Sequence, residues 1–277
     1  MTGLIDVGGG MRDIYGAGVL DYFIDNDITF DVCIGVSAGS ANLASYLAKQ
    51  RGRTFRFYHE YALRKEYMSF DNMFKTGSYF NLDYIYSYLS DTNGEDPLNF
   101  DAIKSCKSEL ITVVTNADTG KAEYFNKNDI IKDNLWTLKA SCAMPVACKP
   151  FRYGNNEYAD GGVANPIPIE KAFEMGCDKV YVIIPRPIAE KNREFSYMMK
   201  PFLRKHPEVL SLMKRRPEIY NSQLAKLESF VREGKAIIIS PDNDKGMSMI
   251  TKNKKLLAEY YNKGYNDAMR VMKNCTY

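Results

Sequence analysis

The stretch that most constrains this chain is Gly35-Val36-Ser37-Ala38-Gly39. An extended apolar run, 30 to 36, leads into it, and a helix-forming run, 38 to 49, leads out. A serine flanked by glycines where a strand turns into a helix is the pattern of a nucleophile elbow. The turn is so tight that the serine backbone is strained, and side chains two residues to either side would collide with the turn or with a substrate. The following helix points its free amides and the positive end of its dipole at the serine, which favours negative charge there. Strand–helix turns rich in glycine and serine also occur with no chemistry attached. Ser37, supported by Gly35 and Gly39, is therefore a candidate nucleophile that needs partners elsewhere in the chain.

The surrounding pattern is α/β. A short buried strand, 4 to 7, runs straight into Gly8-Gly9-Gly10-Met11-Arg12-Asp13, and Ile14, Ala17, Leu20 and Ile24 predict a helix over 14–25. Strand, glycine loop, helix and second strand make the βαβ opening of a parallel sheet. From 52 to 100 the composition changes to a dense run of Phe and Tyr, which predicts a helical insertion with its own aromatic core, some of whose rings could line an acyl pocket or a lid. Further strands are expected over 110–115, 122–125, 180–184 and 236–239. A hairpin over 151–158 is expected to deliver Asp160-Gly161-Gly162, and a long helix is expected over 252–273.

Whole-chain properties exclude several classes. Over 277 residues, 45% hydrophobic and 26% charged content suits a globular protein with a sizeable core. A net charge of +3 gives no electrostatic case for nucleic acid. No apolar run approaches the ~18 residues of a membrane span, and the start lacks a basic region followed by an apolar stretch, so no signal peptide is visible. The six cysteines are scattered without a Cys-x-x-Cys pair, which reads as free thiols in a cytoplasmic protein.

The first glycine loop follows a strand and opens a helix, as a dinucleotide-binding loop would. The third glycine of that fingerprint should stand at position 13, where Asp13 would instead repel a pyrophosphate. A triple-glycine turn has another use, because its unencumbered amides can face an oxyanion forming on a substrate carbonyl, with Arg12 adding positive charge. A serine nucleophile also needs a base. The two histidines, His59 in the aromatic insertion and His206 in a charge run, are poorly placed for that task. Asp160 is the better candidate, with Gly161 and Gly162 clearing space around it. An aspartate with an ordinary pKa near ~4 is a weak base, so it would have to be desolvated and within hydrogen-bond reach of Ser37.

Taken in order, the triple glycine with Arg12, Gly35-Val-Ser37-Ala-Gly39 and Asp160-Gly161-Gly162 resemble the motifs of the patatin-like phospholipases. The tracts Lys139–Pro145 and Asn165-Pro-Ile-Pro168 are similar to that family's sequence around the aspartate, and the resemblance extends over roughly 3–186. It implies a three-layer α/β/α fold around a mainly parallel sheet, with the aromatic-rich insertion added. It also implies hydrolysis of lipid acyl esters without metal or cofactor. By position, Ser37 would be the nucleophile and Asp160 its partner, with Gly8, Gly9, Gly10, Met11 and Arg12 forming the oxyanion loop. The expected organisation is a catalytic core over 1–186, carrying the insertion at 52–100, and a segment over 187–277 that completes the same domain. One departure is Asp13, where the family usually has glycine. It opens an alternative reading, a catalytically weak or inactive relative that binds lipid or a partner.

Between 186 and 235 the chain holds 12 Lys and Arg against 6 acidic residues. Arg204-Lys205 and Lys214-Arg215-Arg216 fall among Met198, Met199, Phe202, Leu203, Leu210, Leu212 and Met213. A helix with one apolar and one basic face is expected there. Such a face either meets water or rests peripherally on an anionic membrane at the inner, cytoplasmic side.

Overall fold

A computed structural model describes residues 1–189 and 204–275. In chain order the elements are β1 (Thr2–Asp6), α1 (Ile14–Asp25), β2 (Val32–Val36), α2 (Ala38–Leu47), α3 (Arg53–His59), α4 (Phe70–Thr76) and α5 (Phe100–Ser105). They continue with β3 (Glu109–Asn116), β4 (Ala122–Asn126), α6 (Trp136–Ser141), β5 (Phe151–Tyr153), β6 (Asn156–Asp160) and α7 (Ile169–Glu174). β7 (Lys179–Ile183), α8 (Pro207–Arg232), β8 (Ala236–Ile239) and α9 (Lys254–Cys275) complete the described chain.

One 8-stranded sheet runs through the molecule in the order β5-β6-β3-β2-β1-β7-β8, with β4 paired to β3. β3, β2, β1, β7 and β8 are parallel to one another, whereas β4 and β6 run antiparallel to β3. The parallel strands are apolar on both sides because both faces are covered. Leu4, Cys33, Leu110 and Tyr181 point to a core shared with α1, α2 and α9. Their neighbours Ile5, Ile34, Ile111 and Val182 point to the opposite core, closed by α7 and α8. The result is three layers, α/β/α.

The aromatic insertion departs from its expected role. Tyr58, Tyr61, Phe80 and Tyr86 are buried, but in the same cluster as Leu20, Phe23 and Leu43, so the insertion extends the main core instead of building its own. No described helix is long and apolar enough to cross a membrane.

The register of β3 positions the site. β4 occupies one edge of β3 from Ile111 to Thr115. On the other edge β2 pairs as far as Val36 opposite Val113, and β6 takes up pairing from the opposite direction with Asp160 opposite Val114. The carboxyl ends of β2 and β6 therefore meet head to head on one strand. Ser37 follows directly from one, and Asp160 terminates the other.

Candidate active site

Ser37 sits between β2 and α2 with φ 55° and ψ −130°, a strained conformation for a residue with a side chain. The turn persists because its surroundings leave no alternative. A Cβ on Gly35 would lie 2.3 Å from the Ser40 Cα, and one on Gly39 would lie 2.3 Å from the Asp6 carbonyl oxygen. Ser40 Oγ donates to the Ser37 carbonyl at 2.6 Å. The Ser37 amide donates to Ser141 Oγ at 2.8 Å, and that hydroxyl in turn donates to the Val113 carbonyl at 2.7 Å. Ser141, at the end of α6, thus ties the elbow to β3.

Asp160 is buried, 5% exposed. Its Oδ2 accepts a 2.6 Å hydrogen bond from Ser37 Oγ, and its Oδ1 accepts one from the Gly162 amide at 2.8 Å. Its backbone is fixed by the Ala143 carbonyl, which accepts from its amide, and by Thr115 Oγ1, which donates to its carbonyl. Burial raises the Asp160 pKa. The Ser37 hydroxyl, the positive charge of Arg216 and the Gly162 amide oppose the rise. This is the desolvated carboxyl within reach of the serine that a proton acceptor requires. Gly161 is held close to β3, where a Cβ would lie 2.2 Å from the Val113 carbonyl oxygen.

The glycine loop rests on the elbow. Gly8, Gly9 and Gly10 all have positive φ (64°, 155° and 60°), and a Cβ on Gly8 would lie 2.2 Å from the Val36 carbonyl oxygen. The loop's candidate residues divide. Gly8, Gly9 and Arg12 line the cavity that holds Ser37 and Asp160, whereas Gly10, packed against Met249, and Met11, which is buried, do not. The Gly8 amide donates to Asp6 Oδ1 at 3.1 Å, and the Met11 amide donates to the Met249 carbonyl at 3.1 Å. The amides of Gly9 and Gly10 have no such partner among the described residues.

Asp13 does not face the cavity. It is fully buried, and its side chain makes no capping bond to α1. Its carboxyl accepts from Asn42 Nδ2 at 2.9 Å and lies against the carboxyl of Asp6. The two carboxyls share this site, and burial raises both pKa values, that of Asp6 to about 6. Tyr58 completes the group by donating to Asn42 Oδ1.

The cavity has a volume of about 770 Å³. It is lined by Ser37 and Asp160 with Gly8 and Gly9, by Met144, Pro145 and Val163, by Arg186, Met213, Arg216 and Tyr220, and by residues of the loop 242–249. None of the aromatic residues from 52–100 lines it, and among the described residues the ring that does is Tyr220 of α8. Neither histidine lines it. His59 stacks on Phe55 with centroids 4.9 Å apart, and His206 lies 3.5 Å from Glu157.

The expected basic face is also revised. Met198, Met199, Phe202 and Leu203 lie outside the described residues. Lys214 and Arg215 are exposed on α8, but Arg216 turns inward to the cavity, so the three do not form one outward cluster. Ser141 lay inside the tract that resembles the family but carried no role there, Asp6 read as an ordinary strand residue, and Arg216 read as part of a charge run.

Fold and site together define a class. The chain belongs to the patatin-like phospholipase family, whose model matches residues 7–173. A domain of unknown function, DUF6363, matches residues 206–276. Among curated relatives, the uncharacterized protein YjjU of Escherichia coli (strain K12) is 29% identical over 196 residues, covering 65% of this chain and 50% of that protein. The probable lipid hydrolase 463L of Invertebrate iridescent virus 6 is 27% identical over 197 residues, covering 62% of this chain and 63% of that protein. The chain thus spans between half and just under two thirds of the length of these relatives. The crystal structure of VipD from Legionella pneumophila has the same fold, with a TM-score of 0.50 at 16% identity, covering 99% of this chain and 67% of that one.

Proposed function

We propose that this protein hydrolyses fatty-acyl esters of lipids through Ser37 and Asp160. The observation that carries this reading is the 2.6 Å hydrogen bond from Ser37 Oγ to a buried Asp160 carboxylate at a strained elbow. Ser37 Oγ attacks the ester carbonyl carbon while its proton passes to Asp160 Oδ2. The carbonyl oxygen becomes an oxyanion, and the Gly9 amide is its donor from the loop, since Gly9 lines the cavity while the amides of Gly8 and Met11 are already bonded. Collapse of the tetrahedral species breaks the bond to the alcohol, which leaves with the proton from Asp160. Water then attacks the acyl-serine, gives a proton to Asp160, and the proton returns to Ser37 Oγ as the fatty acid is released. Lipid as the substrate class follows from the family and from the relative named a probable lipid hydrolase. The inactive alternative rested on Asp13 disturbing the oxyanion loop, and Asp13 is turned away from the cavity.

The test is labelling by a fluorophosphonate probe together with hydrolysis of p-nitrophenyl butyrate. Labelling at Ser37 and loss of both signals in folded Ser37→Ala are expected. Unchanged hydrolysis by that variant would overturn the assignment.

A further inference from the structure

The C-terminal region brings positive charge to the cavity that the reaction sketched above does not use. Arg216 reaches the cavity from α8, with its Nη2 near Gly162: a Cβ built on that glycine would lie 3.7 Å from it. Its Nε is shut off from solvent and finds no acceptor among the described residues. Arg186 approaches from the end of β7 and is held by Tyr220, one turn after Arg216 on α8. The Arg186 guanidinium carbon lies 4.0 Å from the Tyr220 ring centroid, and Arg186 Nε donates to the Tyr220 hydroxyl at 3.3 Å. Arg12 enters from the glycine loop, and both arginines are near enough to act on Arg216 electrostatically.

Three guanidinium groups around one cavity repel one another, and burying such a group without an acceptor is costly. The charge of Asp160 offsets that cost only in part, because burial still lowers the Arg216 pKa, and no cavity carboxylate accepts from Arg216 Nε. Asp160 is engaged by Ser37 and Gly162, Asp242 by Lys263, and Asp244 Oδ1 accepts from the Gly246 amide at 2.9 Å. A planar guanidinium fork that faces a cavity matches the oxygens of a phosphate, which it can hold with two parallel hydrogen bonds.

We propose that Arg216, with Arg186 positioned by Tyr220, forms a phosphate-binding subsite that selects acyl esters bearing a phosphate head group. This rests on the hydrolase reading above and deepens it. It assigns to the stretch matched as a domain of unknown function the task of reading the substrate's charge.

The test compares 1-octanoylglycerol 3-phosphate with 1-octanoylglycerol, identical in acyl chain and ester, at pH 8. The wild type is expected to favour the phosphate ester in kcat/KM. Arg216→Gln is expected to lower the phosphate-to-neutral ratio about tenfold or more, mainly through KM, as loss of a charged hydrogen-bonded pair implies. Arg216→Lys is expected to restore part of the ratio, because it keeps the charge without the fork. Equal loss on both esters would make Arg216 a structural or general electrostatic residue and overturn the subsite.

A second measurement is independent of catalysis. Folded Ser37→Ala protein is titrated calorimetrically with octyl phosphate and with octanol, and octyl phosphate is expected to bind at least about tenfold more tightly. The same protein carrying Tyr220→Phe, which removes only the hydroxyl that holds Arg186, should lose part of that difference. Equal affinity for octyl phosphate and octanol would overturn the proposal even if the hydrolase reading stands. Conversely, a clear preference for octyl phosphate in a protein that hydrolyses neither ester would keep the subsite and discard the hydrolase. A rise in Tm with inorganic phosphate as large as that with equimolar octyl phosphate would assign the site to free phosphate and overturn head-group selection.

Discussion

Asp160 and the Asp6–Asp13 pair are both buried beside a glycine loop, and their neighbours answer burial in opposite ways. Asp160 has a hydroxyl and a backbone amide donating to it, with the Arg216 charge nearby. Those donors favour the ionised form and hold back the rise that burial imposes. Asp6 and Asp13 face each other instead, so ionising both would place two like charges in a fully buried site. Burial raises both pKa values, that of Asp13 further through the charge of Asp6, and the pair works as a structural clamp. Asp6 holds the Gly8 amide, and Asp13 holds Asn42 of α2. Burial alone therefore does not mark a carboxyl as chemically active. The donors around it decide whether it can accept a proton or must retain one.

The largest test of this contrast removes the hydroxyl that donates to Asp160. Ser37→Ala should lower ester hydrolysis by about a thousandfold or more while leaving the circular dichroism spectrum and Tm near wild type. Asp160→Asn should follow, at on the order of a hundredfold in kcat, the scale of a positioned base. His59→Ala and His206→Ala, whose side chains lie outside the cavity, should stay within a fewfold of wild type. A collapse of activity in either well-folded histidine variant would move the base away from Asp160.

The clamp is probed by Asp13→Asn, which replaces the shared proton with an amide of the same shape. Asp6 and Asp13 have folded pKa values raised above the ordinary aspartate value. Their contribution to stability is thus complete below about pH 4 and is lost as pH rises through about 6 and beyond. Wild type should therefore lose Tm relative to Asp13→Asn as pH climbs from 4 to neutrality. A Tm difference independent of pH would show that the carboxyls do not share a proton. Hydrolysis by Asp13→Asn should change little, because Asp13 does not line the cavity.

The smallest effect separates the two carboxyl environments directly. In the proposed mechanism Asp160 accepts the Ser37 proton in its ionised form, so its raised pKa should place the acid limb of kcat/KM above the usual carboxylate range. Arg216 opposes that rise, and Arg216→Gln should move the limb to still higher pH on a neutral ester. Asp13→Asn should leave the limb where it is. A limb that follows Asp13 and ignores Arg216 would reverse the roles given to the two sites.

Much of the site could be read in the chain because its constraints are local. The elbow and the triple glycine are backbone requirements, and a Cβ added at Gly35, Gly39 or Gly8 would come within 2.2–2.3 Å of a backbone atom. The parallel strands showed themselves as apolar runs for the equally local reason that both of their faces are covered. The resemblance, not any spacing, joined Ser37 to Asp160 across 123 positions. The physical join is the shared edge of β3, where β2 stops at Val113 and β6 begins at Val114. No sequence pattern announces that register, because it depends on β4 holding the other edge. The aromatic insertion misled for a similar reason. Composition reports that rings will be buried, while only packing decides whether they join a core or line a cavity. Asp13 looked like a flaw in the oxyanion loop until Asp6, at the end of a different element, supplied its partner. Arg216 is the clearest case. In sequence it is the third member of a basic run, yet the rotation of α8 leaves Lys214 and Arg215 exposed and turns Arg216 toward Asp160. Helix phase against a sheet is fixed by the whole packed layer, so the chain by itself determined which residues could do chemistry, and only the tertiary structure decided which charges face it.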